Sequence, residues 1–298
     1  MIALEENIMI SGHTALYGLV AHPVHHSLSP TIHNLGFKQH QIDARYLAFD
    51  SQAPAQEVAQ ALRALNVAGV NLSTPYKQAL LPFMDQLTPT AHLSGAINTV
   101  ILHSGQLIGT NTDGDGFWRA LQKAHPKQIW QEIVVLGAGG AALAVIEAAA
   151  RYGVQQVHVF KRQNPTYPTV AHRLRQLATQ HQITITLQPY VDLELLSKKL
   201  ARADCLINAT SLGMAASPGL PIAKRFIQQT PTTCLVVDLI YAPDQTAFLQ
   251  LANQSGHITQ NGLGMLIEQA ALSFEFWTGQ VLQTEPIYQT LTSIECPD

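Results

Sequence analysis

The feature that most constrains the fold of this chain is a glycine-rich turn between two apolar segments. The run QEIVVLGAGGAALAVIEAAARYGVQQVHVFKR begins as a strand pattern, passes through the glycines and continues as a helical pattern. The helical pattern stops at Gly153, and a second strand pattern follows. Such a unit pairs its two strands in parallel through a right-handed crossover. Strand and helix patterns alternate further along the chain, so we expect an α/β fold with a doubly wound sheet.

The glycine turn also predicts a phosphate-binding site. Residues 137–142, GAGGAA, match the pattern G-x-G-x-x-A at the point where a strand ends and a helix begins. Glycines there allow a close approach to a pyrophosphate, and the helix N-terminus supplies free N–H groups. The alternative is a glycine-rich turn without a ligand. The residues assigned to this site are Gly137, Ala138, Gly139, Gly140 and Ala141.

The end of the second strand bears on which dinucleotide binds. NAD-binding units usually carry an Asp or Glu about 20 residues after the turn, for the ribose hydroxyls. Here the strand ends in Lys161, Arg162, Gln163 and Asn164, with two cations and no acid. A 2′-phosphate suits that charge, so the sequence favours NADP. A solvated basic turn is the alternative, and NAD remains open as the cofactor.

Composition excludes several other classes of protein. The chain is 47% apolar with only 12% charged residues, which excludes a disordered chain. Its net charge of −3 offers no basic excess for a nucleic-acid partner. Its longest apolar, charge-free run, residues 133–146, is too short to span a membrane. Cys205, Cys234 and Cys296 lack CxxC spacing, which fits inert thiols in a reducing compartment. Residues 1–13 lack a signal-peptide pattern, so we expect a cytoplasmic protein.

The charge distribution divides the chain into modules. Residues 1–118 hold four cations and eight acids, whereas residues 119–298 hold thirteen and twelve. We expect a mixed α/β substrate-binding domain over residues 1–115 and a dinucleotide-binding (Rossmann) domain over 116–261, with a cleft between them.

Two serines in the first module precede a predicted helix. In His26-Ser27-Leu28-Ser29-Pro30, Ser29 is predicted as the N-cap and Pro30 as the first helical residue. A plain N-cap is one interpretation. The other is an anion site in which Ser27, Ser29 and the helix N-terminus hold a carboxylate without arginine.

Lys77 and Asp113 are candidate catalytic residues. Lys77 is one of two lysines in residues 1–118, and it falls in the first turn of a helix predicted over residues 75–84. A cation there opposes the helix dipole, which indicates a role in chemistry, because lysine can act as an acid or base. Asp113 lies in a polar turn at the module junction. The alternatives are a solvated lysine and a turn aspartate. His25, His26 and His33 lack a complementary ligand set nearby, so we expect no metal.

Taken together, these motifs resemble the shikimate dehydrogenase family over nearly the whole chain. Each motif is modest alone, whereas their order and spacing are highly specific. The matching segments are residues 26–30 (HSLSP), 71–77 (NLSTPYK), 95–99 (GAINT), 111–114 (NTDG), 137–141 (GAGGA), 208–211 (NATS) and 262–266 (GLGML), together with Gln269.

The resemblance implies reversible, NADP-linked reduction of 3-dehydroshikimate to shikimate, a small-molecule substrate. It also implies that the helices of residues 262–298 return to the first domain, because Gln269 must reach the substrate. For the assembly we expect a monomer or homodimer. The resemblance implies that Lys77 exchanges the proton of the reacting hydroxyl and that Asp113 orients Lys77. It further implies the following binding residues: Ser27, Ser29 and Tyr241 for the substrate carboxylate; Ser73, Asn98, Asp113 and Gln269 for its hydroxyls; and Thr210, Leu239 and Gly262, besides the residues named above, for the cofactor.

Two departures from the family pattern leave alternatives open. Ser73 stands where threonine is commonest, as in the quinate/shikimate dehydrogenase branch, and the missing methyl group would admit the extra hydroxyl of quinate. Lys161-Arg162-Gln163-Asn164 replaces the commoner Asn-Arg-Thr. A dual-specificity enzyme that uses NAD or NADP is therefore one alternative. A non-catalytic dinucleotide-sensing regulator on the same fold is another, although it would not need both Lys77 and Asp113.

Overall fold

The computed structural model describes residues 10–293. Residues 1–9 and Cys296 lie outside the described residues, so the expectations for them stay predictions. The chain forms two compact units. Unit 1 holds the described residues up to Thr112 together with Ala270–Gln289, and unit 2 holds Asp113–Gln269 with residues 290–293. The three-segment domain division predicted from the sequence stays a prediction.

Unit 1 is built on a mixed six-stranded sheet. Its strands are β1 (Ala15–Ala21), β2 (Ala44–Asp50), β3 (Gly69–Leu72), β4 (Gln86–Leu87), β5 (Thr99–His103) and β6 (Gln106–Thr110). The order is β2-β1-β3-β5-β6-β4. Strand β5 is antiparallel to both β3 and β6, and the other neighbouring strands are parallel. The sequence INTVILHSGQLIG predicts a hairpin with its turn at Ser104 and Gly105, and the structure confirms it. His103 pairs with Gln106, and Ser104 and Gly105 both have positive φ, as a tight hairpin turn requires.

The helices of unit 1 differ from two predictions. They are α1 (Ser29–Gln39), α2 (Ala55–Ala64), α3 (Tyr76–Ala79) and α4 (Pro89–Ser94). The prediction of Ser29 as N-cap is wrong, because α1 begins at Ser29 and Leu28 is its N-cap without a side-chain bond. Ser27 Oγ instead accepts the N–H of Ser29 at 3.2 Å, so the cap comes from one residue further out. The long helix predicted over residues 75–84 is also wrong. It splits into α3 and a 3₁₀ turn, Leu81–Phe83, because Pro82 lacks an amide hydrogen.

A cluster of aromatic rings fills one side of the unit 1 core. Trp277 donates its indole N–H to the carbonyl of Val100 at 3.0 Å and packs over β3. Gly69 allows this approach, because a Cβ there would lie 2.6 Å from the Trp277 nitrogen. His33 is fully buried, and its ring stacks on Tyr46 at 4.4 Å. Both His33 ring nitrogens are without a hydrogen-bond partner among the described residues, which favours a neutral ring.

The buried His33 predicts a loss of stability in mild acid. Burial lowers the pKa of His33 to about 3, opposed only by the Asn71 side chain. The unfolded chain, with an ordinary histidine pKa near 6.5, therefore binds a proton that the folded chain refuses. Between pH 7 and pH 5 this one residue should lower the free energy of unfolding by about 2 kcal/mol. We expect His33→Phe to remove that part of the pH dependence in urea unfolding, and the exposed His103→Phe to leave it unchanged. An equal pH dependence in wild type and His33→Phe would contradict this expectation.

Unit 2 is built on an entirely parallel six-stranded sheet. Its strands are β7 (Glu132–Leu136), β8 (Gln156–Lys161), β9 (Thr184–Pro189), β10 (Cys205–Asn208), β11 (Leu235–Asp238) and β12 (Thr259–Gln260). The helices of this part of the chain are α5 (Asp113–Ala124), α6 (Gly140–Ala149), α7 (Tyr167–His181), α8 (Leu193–Leu200), α9 (Lys224–Gln229) and α10 (Ala247–Gln254), followed by α11 (Leu263–Thr278) and α12 (Thr284–Ser293).

The strand order of unit 2 is β12-β11-β10-β7-β8-β9. The chain thus runs outward from β7 to β9 and then returns to begin the other half at β10, which is the doubly wound order. The predicted parallel sheet is confirmed. Strands β7, β10 and β11 are buried along their whole length, which explains why they read as continuous apolar runs. The turn between β7 and α6 lies at the carboxyl end of the sheet, where the order reverses.

No helix within residues 10–293 combines the length and the apolar character that crossing a membrane requires.

Candidate active site

The predicted phosphate turn adopts the geometry that its glycines allow. Gly137 has a φ of 100°, and a Cβ there would lie 2.9 Å from the carbonyl oxygen of Ala209. Its N–H donates to the carbonyl of Phe160 at 2.8 Å, which fixes the turn to β8. Gly139 is the N-cap of α6, and a Cβ there would meet nothing within 4 Å. The turn therefore leaves open space in front of the N-terminus of a ten-residue helix, as a bound phosphate requires.

A buried carboxylate organises the neighbouring strand ends. Asp238 accepts hydrogen bonds from the Asn208 amide at 3.0 Å, the Thr246 hydroxyl at 2.8 Å and the N–H of Ile240 at 3.1 Å. Burial raises the pKa of Asp238, and these three donors work against that shift. Asn208 in turn accepts the N–H and the hydroxyl of Thr210. Asp238 was not among the predicted site residues, although an acid at the end of an apolar strand pattern is a visible signal in the sequence.

Two other predicted cofactor residues, Leu239 and Gly262, meet at the same sheet edge. Leu239 donates its N–H to the carbonyl of Asn208 at 3.0 Å. A Cβ on Gly262 would lie only 2.1 Å from the Leu239 carbonyl oxygen, so this close approach of two backbone segments admits glycine alone. The predicted residues at 137–141, Thr210, Leu239 and Gly262 thus all lie at the carboxyl ends of β7, β10, β11 and β12.

The two predicted cations at the end of β8 have different surroundings. Lys161 is buried, and its ammonium group donates to Asn164 Oδ1 at 2.5 Å and to the carbonyl of Arg162 at 3.4 Å. Burial lowers the pKa of Lys161, and the neighbouring Arg162 charge lowers it further. Arg162 is exposed and lines a cavity of about 500 Å³ together with Thr210. Arg162 is therefore the better placed of the two to meet a ligand in that cavity.

In unit 1, a buried polar network joins two of the predicted substrate residues, Ser29 and Asn98. Tyr46 donates its hydroxyl to Asn71 Oδ1 at 2.8 Å. Burial raises the pKa of Tyr46 well above its usual value, and a hydrogen bond with Ser29 opposes that shift. Asn71 donates to the carbonyl of Asn98 at 3.1 Å and to the Ser273 hydroxyl at 3.0 Å. The network thus links Ser29, at the start of α1, to Asn98, ahead of β5.

The same network reaches the end of β6. Asn98 donates to the Thr112 hydroxyl at 2.8 Å and accepts the Thr112 N–H at 2.9 Å. Thr99 and Ser273 hydroxyls lie 2.7 Å apart within it. Tyr46, Asn71 and Ser273 were not among the site residues predicted from the sequence. A polar residue in an apolar strand or helix pattern, such as Asn71 in GVNL, was the available signal.

Ser73 and Lys77 lie next to this network. Ser73 is half-buried just after β3, and its N–H donates to the carbonyl of Val20 at 3.2 Å. Lys77 is half-buried in α3, and its carbonyl accepts the N–H of Ile97 at 2.8 Å, one residue before Asn98. Within unit 1 the structure therefore holds the backbones of Ser73, Lys77 and Asn98 close to one another.

Asp113, Tyr241 and Gln269 belong to unit 2. Asp113 is buried at the first position of α5 and directly follows Thr112 in the chain. Gln269 is buried in α11 and donates its amide to the carbonyl of Leu266 at 2.8 Å. Tyr241 is half-buried beyond β11. Among the described residues, His, Cys, Asp and Glu side chains do not form a group of three or more that would hold a metal ion.

The doubly wound sheet, its glycine turn and the open helix N-terminus define a dinucleotide-binding protein. Two family models match the chain: the shikimate dehydrogenase substrate binding domain over residues 19–100, and the shikimate 5′-dehydrogenase C-terminal domain over residues 262–292. A shikimate dehydrogenase (NADP(+)) from Latilactobacillus sakei is 60% identical over 95% of this chain and 98% of its own. The chain therefore belongs to the shikimate dehydrogenase family, which confirms the resemblance read from the sequence.

Solved structures show the same similarity. The crystal structure of shikimate 5-dehydrogenase from Listeria monocytogenes in complex with shikimate and NAD is 36% identical, with a TM-score of 0.86 over 96% of this chain and 99% of that chain. Quinate dehydrogenase from Corynebacterium glutamicum in complex with NAD is 27% identical, with a TM-score of 0.83 over 94% of this chain and 99% of that chain. The predicted fold class, a doubly wound dinucleotide-binding unit and a mixed α/β unit, is confirmed.

Proposed function

We propose that this protein catalyses the reversible NADPH-dependent reduction of 3-dehydroshikimate to shikimate, a step toward chorismate and the aromatic amino acids, in the cytoplasm. The observation that carries this proposal is the 60% identity to a shikimate dehydrogenase (NADP(+)) over nearly the whole chain. The open glycine turn in front of α6 and the uncharged, hydroxyl-rich polar network of unit 1 support it. Both features suit a dinucleotide and a small polyhydroxylated acid.

Each predicted residue has a proposed role in this reaction. The turn at residues 137–141 and the N-terminus of α6 hold the pyrophosphate, and Thr210, Leu239 and Gly262 shape the adjoining strand ends. Ser27, Ser29 and Tyr241 hold the substrate carboxylate. Ser73, Asn98, Asp113 and Gln269 bind its hydroxyl groups. None of these side chains carries a positive charge, and their hydrogen bonds can orient the hydroxyl groups of the ring.

Lys77 is the proposed acid and base, with Asp113 in the supporting role that the family pattern implies. When bound, the cofactor supplies the hydride that reduces the ketone. Lys77 donates a proton to the resulting oxygen, and it takes the proton back when shikimate is oxidised. The backbone of Lys77 is held to Ile97, beside Asn98, so its main chain is fixed relative to a residue proposed to bind the ring hydroxyls.

Quinate and NAD are the alternative substrate and cofactor. Ser73 favours quinate because its side chain is one methyl group smaller than threonine, and the fold match includes a quinate dehydrogenase in complex with NAD. For the assembly, we propose a monomer or a homodimer.

A four-way assay tests the proposed function. The purified protein is assayed with shikimate and with quinate, each with NADP and with NAD. We expect the highest kcat/KM for shikimate with NADP. Comparable rates with quinate would instead establish the dual-specificity enzyme. NADPH binding without oxidation of either acid would establish the regulator and overturn the proposal.

Removing the two positive charges at the end of β8 should change the preference between NADP and NAD. We expect Lys161→Gln together with Arg162→Gln to raise KM for NADP at least about tenfold while changing KM for NAD little. Arg162 lines the cavity proposed to take the 2′-phosphate, and Lys161 bonds the loop that carries Arg162. Initial rates at saturating shikimate measure both constants. Lys127→Gln, which removes an exposed charge after α5, is the control and should change neither. Equal changes in both constants would mean that the basic pair does not recognise the 2′-phosphate.

A further inference from the structure

The cavity beside Arg162 contains a second arginine to which the family pattern gives no role. Arg225, the second residue of α9, lines the same cavity as Arg162. It is exposed, and its guanidinium group lies 5.0 Å from the centre of the Phe226 ring. Phe226 is buried in the unit 2 core, so this contact anchors the arginine at the cavity wall.

Tyr190 adds an unused hydrogen-bond donor to the cavity. Its hydroxyl is buried and has no hydrogen-bond partner among the described residues. Burial raises the pKa of Tyr190, with the nearby Arg162 charge opposing, so the hydroxyl keeps its proton. The N–H of Tyr190 donates to the carbonyl of Lys161 at 3.2 Å, which holds the residue beside the end of β8. A buried donor without a partner is costly unless a ligand fills the cavity.

Lys161 is less suited to hold a ligand than its position in the sequence indicates. Its ammonium group is buried and already donates to Asn164 and to the carbonyl of Arg162. These bonds close the loop after β8 on itself and fix the backbone that carries Arg162. The two guanidinium groups, Arg162 and Arg225, are thus the exposed cations of the cavity lining.

We propose that Arg225 is a specificity-determining residue that binds the 2′-phosphate of NADP together with Arg162, with the Tyr190 hydroxyl as a further donor. This inference rests on the proposed function, because it assumes that the dinucleotide lies along the carboxyl edge of the unit 2 sheet. Two guanidinium groups can each place two N–H donors on phosphate oxygens, which a single lysine cannot do. Besides the hydroxyl side chains of Thr210, Ser211 and Ser217, the cavity is lined by apolar residues, which include Leu193, Leu212 and Ile222 and suit a purine ring.

Binding of two small nucleotides tests the proposal without requiring turnover. Adenosine 2′,5′-bisphosphate carries the 2′-phosphate, and 5′-AMP lacks it. By calorimetry we expect Arg225→Gln to weaken binding of the bisphosphate at least about tenfold and to leave 5′-AMP unchanged. Arg225→Lys should fall between wild type and Arg225→Gln, because it keeps the charge and loses the paired donors. Lys224→Gln, which removes the neighbouring charge on α9 outside the cavity lining, is the matched control.

Kinetics provide the second readout. For Arg225→Gln we expect a higher KM for NADPH, an unchanged kcat and an unchanged KM for NADH. Equal bisphosphate affinity in wild type and Arg225→Gln would overturn the inference while leaving the proposed function in place. Weaker binding of both nucleotides would also overturn it, because Arg225 would then not be selective for the 2′-phosphate. Failure of the wild-type protein to bind either nucleotide would contradict the proposed function itself.

Discussion

Replacing Lys77 by alanine should lower kcat for shikimate oxidation by about 10²- to 10⁴-fold, the range that general acid–base catalysis contributes. Without the ammonium group, the reacting oxygen has no protein group in the proposed role of proton donor and acceptor. The affinity for NADPH, measured by fluorescence titration, should stay near the wild-type value. Lys77 is half-buried, and its carbonyl, which alanine retains, accepts the N–H of Ile97, so the variant should fold.

Lys38→Ala is the matched control for this experiment. Lys38 is the other lysine in residues 1–118, and it is exposed in the last turn of α1. Its removal changes the charge of unit 1 equally and should leave kcat unchanged. Full activity in Lys77→Ala would remove the acid–base role from this residue. A parallel loss of NADPH affinity would contradict a role confined to proton transfer.

Replacing Gly139 by aspartate should separate cofactor binding from stability. Gly139 has a φ of −78°, so aspartate fits its backbone, and its added Cβ would meet no atom within 4 Å. Aspartate is also a favoured N-cap, so α6 should be at least as stable as before. Its carboxylate would face the proposed pyrophosphate, and like charges in such a place cost several kcal/mol. We therefore expect at least about a 100-fold loss of NADPH affinity.

The measurements are an NADPH titration and a thermal melt of the same preparation. Gly139→Ala is the control, because it adds the Cβ without the charge and should lose much less affinity. A variant Gly139→Asp that binds NADPH normally would show that the α6 N-terminus does not hold the phosphates. A large drop in melting temperature would contradict the open space seen around Gly139.

The fold of unit 2 was predictable because its signals are local. A buried parallel strand is a continuous apolar run, and the glycine turn marks where β7 passes into α6. Local signals also placed the hairpin of β5 and β6. Two predictions of helix starts and ends were wrong, each because of a single residue. Pro82 ends α3 early, and Ser27 provides the cap that Ser29 was expected to provide.

The candidate site was predictable only in part, and the omissions share a cause. Ser27, Ser29, Lys77 and the glycines were found because they lie in short motifs at helix starts. Tyr46 and Ser273 were not found, because their partners are distant in sequence: Tyr46 bonds to Asn71, and Asn71 to Ser273, 202 residues further along the chain. Arg225 was not found for the same reason. Its link to Arg162 is a shared cavity wall between α9 and the end of β8, with no motif to mark it.

The sequence by itself determined the alternation of strands and helices, the family, and the backbone positions where only glycine fits. These depend on hydrophobic periodicity and on conformational limits that act within a few residues. Only the tertiary structure decided which polar groups are already bonded and which still have a free donor. It showed that the Lys161 ammonium group bonds to Asn164 in its own loop and that the Tyr190 hydroxyl has no hydrogen-bond partner among the described residues. It also placed Asn71 at the centre of a buried network. Whether a polar group has a hydrogen-bond partner depends on residues that folding brings together. It therefore cannot be read from the order of residues along the chain.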